Sequence, residues 1–331
     1  GAGTGAINFN QSDAVTITSS ISGAGTLNQL GAGTTTLSGT NTYSGDTTIS
    51  GGTLSLANEN AAGSGRIIQT ALTSLVEFLG GGRMTNEMSV FQYSFDENFE
   101  AAGQVTLADA ASSMAVADGR TLTGSGSFVG AGGLTKLGAG SLALTASNSF
   151  SGPLSVVAGT LQLASLSGAA AGSVTSVSVS SNATLLVSQN NQVNNAASVT
   201  LSGGTIRTAS GVSEVFGNLS VTGSGFLDFG TTSYANANTI SFGTYTYTTT
   251  PSALLTINNF NFGSTLTFGS NLSTTDLATF SFTNGGIGSS SWDGSTFTIT
   301  AIPEPSTYIA ALGLLALMLW PLRRRLRGKV S

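Results

Sequence analysis

The sequence predicts an all-β fold, a right-handed parallel β-helix whose short strands stack as the coils of a solenoid. Three observations support this prediction. Apolar and polar residues alternate over runs of four or five positions, glycine-containing corners separate the runs, and a 33-residue stretch recurs 107 positions later without a gap. Strands this short cannot bury one face alone, but they can when each pairs with the coil above and the coil below.

The repeated stretch covers residues 25–57 and 132–164, and 15 of its 33 paired positions are identical. Leu37 and Leu56 lie 19 positions apart, as do Leu30 and Ile49. This spacing suits one coil of a β-helix. With about 20 residues per coil and about 4.8 Å between stacked strands, some 300 residues predict a rod roughly 70 Å long.

Threonine and glycine set the local structure of each repeat. Thr34–Ser38 and Thr53–Leu56 alternate with a period of two, which is typical of strands with one buried face. Threonine is β-branched and suits a pleated surface. The Gly-Ala-Gly, Ser-Gly and Gly-Gly corners supply the positive φ angles of sharp turns.

Two other structures are compatible with such a composition. A Gly/Ser/Thr-rich chain can be an unfolded linker, but 40% of the residues are hydrophobic and the leucines recur in register. An antiparallel sandwich or barrel is the stronger alternative. It would be favoured by two-residue Asn-Gly or Asp-Gly turns, and these dipeptides are scarce here.

The run Leu30-Gly-Ala-Gly-Thr-Thr-Thr-Leu-Ser-Gly-Thr-Asn-Thr-Tyr-Ser-Gly45, with Gly51-Gly-Thr-Leu54 after it, resembles the autotransporter-associated β-strand repeat. The resemblance is clearest at 23–57 and 120–164, and it fades at 178–208. Such repeats occur in passenger regions of large bacterial surface and secreted proteins. The resemblance therefore implies a β-helical stalk and no catalytic residue.

Residues 58–119 interrupt the clear repeats and contain one local carboxylate cluster, Asp96, Glu97 and Glu100. These residues are candidates for a cation site or for the acid pair of a polysaccharide-active β-helix. A solvated turn is the simpler interpretation, because no second acidic cluster accompanies them.

The stretch 165–214 predicts further strands, with Asn190, Asn191, Asn194 and Asn195 placed for tight turns or amide ladders. From about residue 215 the composition changes, and ten of the 17 phenylalanines lie between Phe216 and Phe297. We expect residues 215–300 to form a β-rich cap that covers the open end of the solenoid. An aromatic carbohydrate platform is the alternative, with Trp292 and Tyr245 as candidates.

Composition excludes several functional classes. The chain has no cysteine and no histidine, which excludes Cys- or His-based zinc, haem and nucleophile sites. We predict no catalytic residue, no cofactor and no metal. Residues 1–302 carry five basic and 14 acidic side chains, a net charge of −9. An acidic body of this kind lacks the basic stripe that nucleic acid requires.

The tail, residues 301–331, has three parts: Pro303, Glu304 and Pro305, an apolar run over 308–322, and a basic end over 323–329. The prolines prevent a helix from continuing across them. The apolar run predicts one short transmembrane helix, since Arg side chains can extend its 15 residues toward the roughly 20 that a span needs. The positive charges favour a cytoplasmic end, which leaves the acidic body outside.

This layout resembles the PEP-CTERM sorting signal. The residues that carry the resemblance are those of the proline motif and of the arginine cluster: Pro303, Glu304, Pro305, Arg323, Arg324, Arg325 and Arg327. The resemblance implies that exosortase, a membrane transpeptidase-like enzyme, processes the tail in bacteria that make extracellular polysaccharide. An autotransporter would end in a long translocating β-barrel, and residues after 300 are too few for one.

The sequence thus predicts three regions: β-helix repeats over 1–214, a cap over 215–300 and a sorting tail over 301–331. Gly1 to Asn10 reads like mid-repeat sequence, so we expect a signal peptide and further coils upstream. The predicted function is an exported structural or adhesin-like protein, anchored in the inner membrane as a precursor and then placed at the surface or in a matrix. The alternatives are a secreted polysaccharide-active enzyme and a carbohydrate-binding protein; extracellular polysaccharide is the expected partner.

Overall fold

The computed structural model describes residues 5–230, 237–248, 254–261, 263–283 and 287–301. Over these residues the chain is an all-β parallel β-solenoid of about 13 turns, and the described part contains one helix of four residues, α1 (Thr274–Leu277). The predicted parallel β-helix is therefore confirmed. The proline motif, the apolar run 308–322 and the arginine cluster lie outside the described residues.

The strands are short throughout. In the first half of the chain they are β1 (Ala6–Phe9), β2 (Val15–Ile17), β3 (Thr26–Gln29), β4 (Thr34–Leu37), β5 (Thr47–Ile49), β6 (Thr53–Leu56), β7 (Ile67–Gln69), β8 (Leu75–Phe78), β9 (Gly82–Met84), β10 (Met88–Val90), β11 (Gln92–Phe95), β12 (Phe99–Ala101), β13 (Val105–Leu107), β14 (Ser112–Val116), β15 (Thr121–Gly124), β16 (Phe128–Val129), β17 (Leu134–Leu137) and β18 (Ser141–Leu144). In the second half they are β19 (Leu154–Val156), β20 (Gly159–Leu163), β21 (Ser176–Ser180), β22 (Ala183–Val187), β23 (Ser198–Ser202), β24 (Thr205–Thr208), β25 (Ser213–Val215), β26 (Leu219–Val221), β27 (Gly225–Asp228), β28 (Thr239–Phe242), β29 (Tyr245–Tyr247), β30 (Leu255–Asn258), β31 (Thr265–Phe268), β32 (Phe280–Phe282), β33 (Ile287–Trp292) and β34 (Phe297–Ala301).

Three faces run along the solenoid, and every pairing within them is parallel among the described strands. Face A consists of β1, β3, β5, β7, β10, β13 and β16. Face B consists of β2, β4, β6, β8, β11, β14, β17, β19, β21, β23, β26 and β29. Face C consists of β9, β12, β15, β18, β20, β22, β24, β27, β30 and β32.

A fourth sheet, the end sheet, has the order β25-β28-β31-β34-β33. Its first two strands, β25 and β28, each follow a face C strand and precede a face B strand, which is the place of face A in the earlier coils. The strands β34 and β31 pair antiparallel, and β33 and β34 form an antiparallel hairpin. Parallel stacking thus ends in a hairpin at the C-terminal end of the described chain.

The core lies between the three faces and follows the alternation of the sequence. Leu37 pairs in register with Leu56, as the 19-residue spacing predicts. The prediction for Leu30 and Ile49 is wrong by one position, because Ile49 pairs with Gln29. Leu30 lies at the corner after β3 and is 43% exposed. Adjacent side chains on a strand point to opposite faces, so this slip moves Leu30 out of the core.

Residues 58–119, where the sequence repeat fades, contain strands that belong to the same three faces. Aromatic side chains replace leucines in this part of the core. Phe78 stacks on Phe95 with ring centroids 4.6 Å apart, and Phe99 packs 4.7 Å from Phe78. Coil geometry therefore persists without the repeat motif, because inward apolar side chains still fill the interior.

Phenylalanine stacking also extends through the end sheet. Phe216 stacks on Phe242, which stacks on Phe268, with ring centroids 5.3 Å and 5.9 Å apart. These rings come from β28, β31 and the residue just after β25, so each coil contributes one ring to a column. Phe216, Phe242 and Phe268 fill the interior in this way.

The two copies of the repeat occupy different faces. The segment at the start of each copy forms β3 on face A and β17 on face B, and the following segment forms β4 on face B and β18 on face C. Five stacking steps lead from β3 to β16, and β17 is the next strand along the chain. The repeat interval is therefore five coils plus one face, and the motif specifies a corner rather than a particular side of the solenoid.

Candidate functional surface of the solenoid

Buried polar side chains hold the Gly-Ala-Gly corners. Gln29, fully buried, donates from Nε2 to the carbonyls of Gly31 and Gly33 at 3.0 and 3.1 Å. The equivalent residue 107 positions later is Lys136, whose Nζ donates to the carbonyls of Leu137 and Gly138 and to Ala158 of the next coil. Burial lowers the pKa of Lys136 to about 8. Both side chains satisfy carbonyl groups that turn inward at the corner.

Two buried asparagines at equivalent positions of the repeat, Asn41 and Asn148, link neighbouring coils. Asn41 accepts from the Ile21 amide at 2.8 Å and donates to the Ala61 carbonyl. Asn148, its counterpart in the second copy, accepts from the Phe128 amide at 2.7 Å and donates to the Ala170 carbonyl at 2.8 Å. Each asparagine thus bridges the coil before it and the coil after it, so these repeat residues have a structural role.

Glu214 is a fully buried carboxylate in β25. Its two oxygens accept from the backbone amides of Gln192 and Val193 at 2.7 and 2.9 Å. Burial raises the pKa of Glu214 to about 7, and the two amide hydrogen bonds oppose the rise. The carboxylate ties the first end-sheet strand to the coil below it.

The asparagines predicted for tight turns lie next to this carboxylate. Asn191 has a φ of +54°, the left-handed conformation that asparagine tolerates. Asn190 accepts from the Ser213 amide at 2.7 Å, and Asn194 donates to the Val174 carbonyl at 2.9 Å. These two hydrogen bonds go to the backbone of neighbouring coils.

The acidic cluster of the sequence is divided among ion pairs. Glu97 pairs with Arg120 at 3.0 Å, and Glu100 pairs with Arg83 at 3.1 Å. A hydrogen bond from Ser125, followed by the Arg83 contact, holds the pKa of Glu100 below its usual value. Asp96 is exposed. A general acid requires a raised pKa, so this arrangement does not favour acid catalysis.

The two aromatic candidates differ in exposure. Tyr245 is only 8% exposed, and its hydroxyl shares a hydrogen bond of 2.7 Å with Thr279, so its predicted role in a surface platform is wrong. The Tyr245 side chain points inward from β29, and its ring packs against Phe268 and Phe280. Trp292 ends the edge strand β33 and is 39% exposed. It remains a surface residue.

The outer surface of face C carries a polar group that the sequence reading missed. Asp228, 6% exposed, accepts from Arg207 Nε at 2.7 Å, from Asn259 Nδ2 at 2.7 Å and from the Gly230 amide at 2.9 Å. Burial alone would raise the pKa of Asp228, but these hydrogen bonds outweigh it and the pKa is lowered. Residues this far apart in the chain meet only because β24 and β27 stack.

Two further observations limit the functional classes. Within the ranges that the structure describes, His, Cys, Asp and Glu side chains do not gather into a group of three or more that could hold a metal ion. Over the same residues, no helix is long and apolar enough to cross a membrane.

Fold and surface together define a class, an all-β solenoid built from stacked, weakly charged coils. Residues 27–56 and 134–163 match the model of the passenger-associated-transport-repeat, a structural repeat associated with autotransporters. These are the segments that the sequence repeat singled out. The match names a structural repeat and indicates no catalytic family. No curated protein and no solved structure matches the chain significantly.

Proposed function

We propose that this protein is a non-enzymatic, exported structural or adhesin-like component of the bacterial cell surface or of an extracellular matrix. The observation that carries the proposal is the pair of passenger-associated-transport-repeat matches on a continuous parallel β-solenoid. A rod of stacked coils presents a long surface at a fixed distance from its attachment point, which suits display outside the cell.

The surface chemistry supports the same role. Charged residues make up only 8% of the chain, and the strands present mostly threonine and serine to solvent. Two of the three carboxylates of the acidic cluster, Glu100 and Glu97, are engaged by Arg83 and Arg120, which disfavours a polysaccharide lyase or hydrolase centred there. A structural role requires none of these residues to react.

The tail supplies the proposed route to the surface. Pro303, Glu304 and Pro305, the apolar run and the arginines 323–325 and 327 together make a sorting signal that exosortase would recognise and process. In this proposal the apolar run holds the precursor in the inner membrane with its basic end in the cytoplasm. Removal of the tail then releases the solenoid to the outside, as with other C-terminal signals that are held in a membrane and cleaved.

The test is deletion of residues 303–331 followed by fractionation of the cells. The proposal predicts that the shortened protein no longer reaches the surface or the matrix, whereas the full chain does. A matched control replaces Arg323, Arg324, Arg325 and Arg327 with lysine, which keeps the positive charge and should keep membrane orientation. Unchanged surface localisation of the deletion variant would contradict the proposal.

A further inference from the structure

One aromatic side chain interrupts a column of hydroxyl groups on the outer surface of face C. The column is built from in-register residues of successive coils: Thr121, Ser141, Thr160, Thr184, Thr205, Phe226, Thr256 and Ser281. Phe226 is half-buried, and its neighbours Gly225 and Leu227 are buried in β27. Strand alternation therefore directs the Phe226 ring outward, where the other coils present Ser or Thr.

The adjacent column places a fixed cation beside this ring. Arg207 and Asp228 are in register, and Asp228 is two residues after Phe226, about 7 Å along the strand. The Asp228 carboxylate holds Arg207 through Nε alone. The Arg207 side chain is 53% exposed, and its two terminal nitrogens have no hydrogen-bond partner among the described residues. They offer a planar pair of donors to solvent.

A depression of about 390 Å³ opens beside Arg207 and Asp228. Its lining includes Leu186, Arg207, Ser210, Asp228 and Asn259. The volume lies within the range of roughly 300–1,000 Å³ found for small-molecule sites, which combine apolar surface with a few convergent polar groups. Phe226 is not part of this lining, but it lies on the neighbouring outward column of face C, so a ligand that occupies the depression and extends along the sheet can also reach the Phe226 ring.

Charge selects the kind of ligand. Arg207 is neutralised by Asp228, and the body around the site is acidic, so an anionic ligand gains little attraction there. A peptide strand would pair with an exposed sheet edge, whereas β24 and β27 each have strands on both sides. A sugar ring instead has an apolar C–H face for the aromatic ring and vicinal hydroxyl groups for the donor pair.

The geometry points to a binding subsite on face C for a neutral saccharide, whose ring stacks on Phe226 and accepts hydrogen bonds from Arg207. The inference rests on the proposed surface role for its biological meaning, because that role would bring the rod into contact with extracellular glycans. The subsite itself requires neither the sorting tail nor export. A negative binding result would therefore contradict the subsite without contradicting the proposed function, and unchanged localisation after tail deletion would leave the subsite intact.

The test measures binding on the purified full chain in mild detergent by titration calorimetry. The probes are hexasaccharides of glucose, mannose, galactose and N-acetylglucosamine, with a galacturonate hexasaccharide as the anionic comparison. We expect at least one neutral probe to bind. We expect Phe226→Thr to weaken that binding about tenfold, since it removes the aromatic contact, and Arg207→Lys about threefold, since a compact ammonium replaces the planar donor pair.

The variants are chosen to fold. Phe226→Thr restores the residue type of the coils above and below, and circular dichroism with a thermal melt checks both variants. The matched control is Arg83→Lys, because Arg83 pairs with Glu100 at 3.1 Å in the same column of face C without an outward aromatic beside it. This control should bind like the wild type.

Three results would overturn the inference: no neutral probe binds, the galacturonate probe binds more tightly than the neutral ones, or both variants bind as tightly as the wild type. Binding that depends on Phe226 and Arg207 in a protein whose tail deletion leaves localisation unchanged would support the subsite and contradict only the sorting proposal.

Discussion

At the scale of the residue, the interior of this solenoid is notable for polar side chains that serve backbone carbonyls. Gln29 and Lys136 are equivalent in sequence and perform the same task on different faces. An uncharged amide and an ammonium are interchangeable here because the corner needs donors rather than charge. Burial disfavours the charged ammonium, and this lowers the pKa of Lys136.

Substitution of Lys136 tests this equivalence. Lys136→Met leaves the carbonyls of Leu137, Gly138 and Ala158 without their donor, and we expect the free energy of unfolding to fall by about 2 kcal/mol. Lys136→Gln copies the side chain of Gln29 and should change it by less than about 1 kcal/mol. Urea unfolding followed by circular dichroism measures both, and equal losses in the two variants would contradict a donor role.

Glu214 predicts a pH dependence of stability. Its pKa is about 7 in the folded protein, against an ordinary value of 4.5, so the folded state binds the proton more tightly than the unfolded chain. Its contribution to stability is therefore greatest at acidic pH and is lost as the pH rises from about 4.5 to about 7. Linkage gives roughly 3 kcal/mol for a shift of this size.

The measurement compares urea unfolding of the wild type and Glu214→Gln at several pH values across that window. Glutamine turns an NH₂ group, which cannot accept, toward one of the Gln192 and Val193 amides, whereas both oxygens of a carboxyl group carry lone pairs, so the variant should be less stable at acidic pH. The informative quantity is the difference between the two proteins, which should shrink as the pH rises. A difference that stays constant would show that Glu214 does not titrate in this range.

At the scale of the element, glycine corners fix how closely two coils approach. Gly52 and Gly159 are equivalent positions in the two repeats, and both have positive φ angles, 55° and 66°. A Cβ atom at Gly159 would lie 2.2 Å from the carbonyl oxygen of Gly140 in the preceding coil. The corner thus needs glycine for its backbone conformation and for the contact between coils.

A matched pair of substitutions separates these two needs. Gly119 has a φ of 68°, similar to that of Gly159, but a Cβ there meets nothing within 4 Å. We expect Gly119→Ala to cost about 1 kcal/mol, the conformational term alone. Gly159→Ala should cost at least about 3 kcal/mol, because backbone atoms must also move apart. Similar midpoints of thermal unfolding for the two variants would argue against close coil contact.

At the scale of the whole molecule, the two ends of the described rod differ. At the C-terminal end the antiparallel hairpin of β33 and β34 pairs with β31 and so extends the edge of the end sheet. At the other end of the described residues Ile7 is exposed, and Phe9, Ile17 and Ile21 are only partly buried. In a solenoid each coil is stabilised by its neighbours, so we expect stability to be lowest where the inward side chains are only partly covered.

Hydrogen exchange followed by mass spectrometry tests this gradient. Amides of residues 5–22 should exchange at least about 100-fold faster than those of residues 134–163, which have stacked coils on both sides. Residues 287–301 should show intermediate protection, since the hairpin pairs one edge of the end sheet. Uniform protection along the rod would contradict coil-by-coil stability and indicate a single cooperative unit.

Part of the structure follows from the sequence because its causes are local. The period-two alternation and the glycine corners predicted short strands, and the 19-residue spacing of Leu37 and Leu56 predicted their register correctly. Leu30 shows the limit of this reasoning. Its spacing to Ile49 was equally good, yet the strand ends one residue earlier and turns Leu30 outward. Spacing alone does not say at which residue a corner begins.

What the sequence determined by itself was the coil: its length, its alternation, its glycine corners and the repeat that two segments share with the passenger-associated-transport-repeat. What only the tertiary structure decided was which coils and faces meet. Arg207, Asp228 and Asn259 come from three successive coils, and Gln29 and Lys136 lie on different faces although the motif is the same. The physical reason is that stacking brings together residues about 20 positions or more apart, and this interval varies from coil to coil.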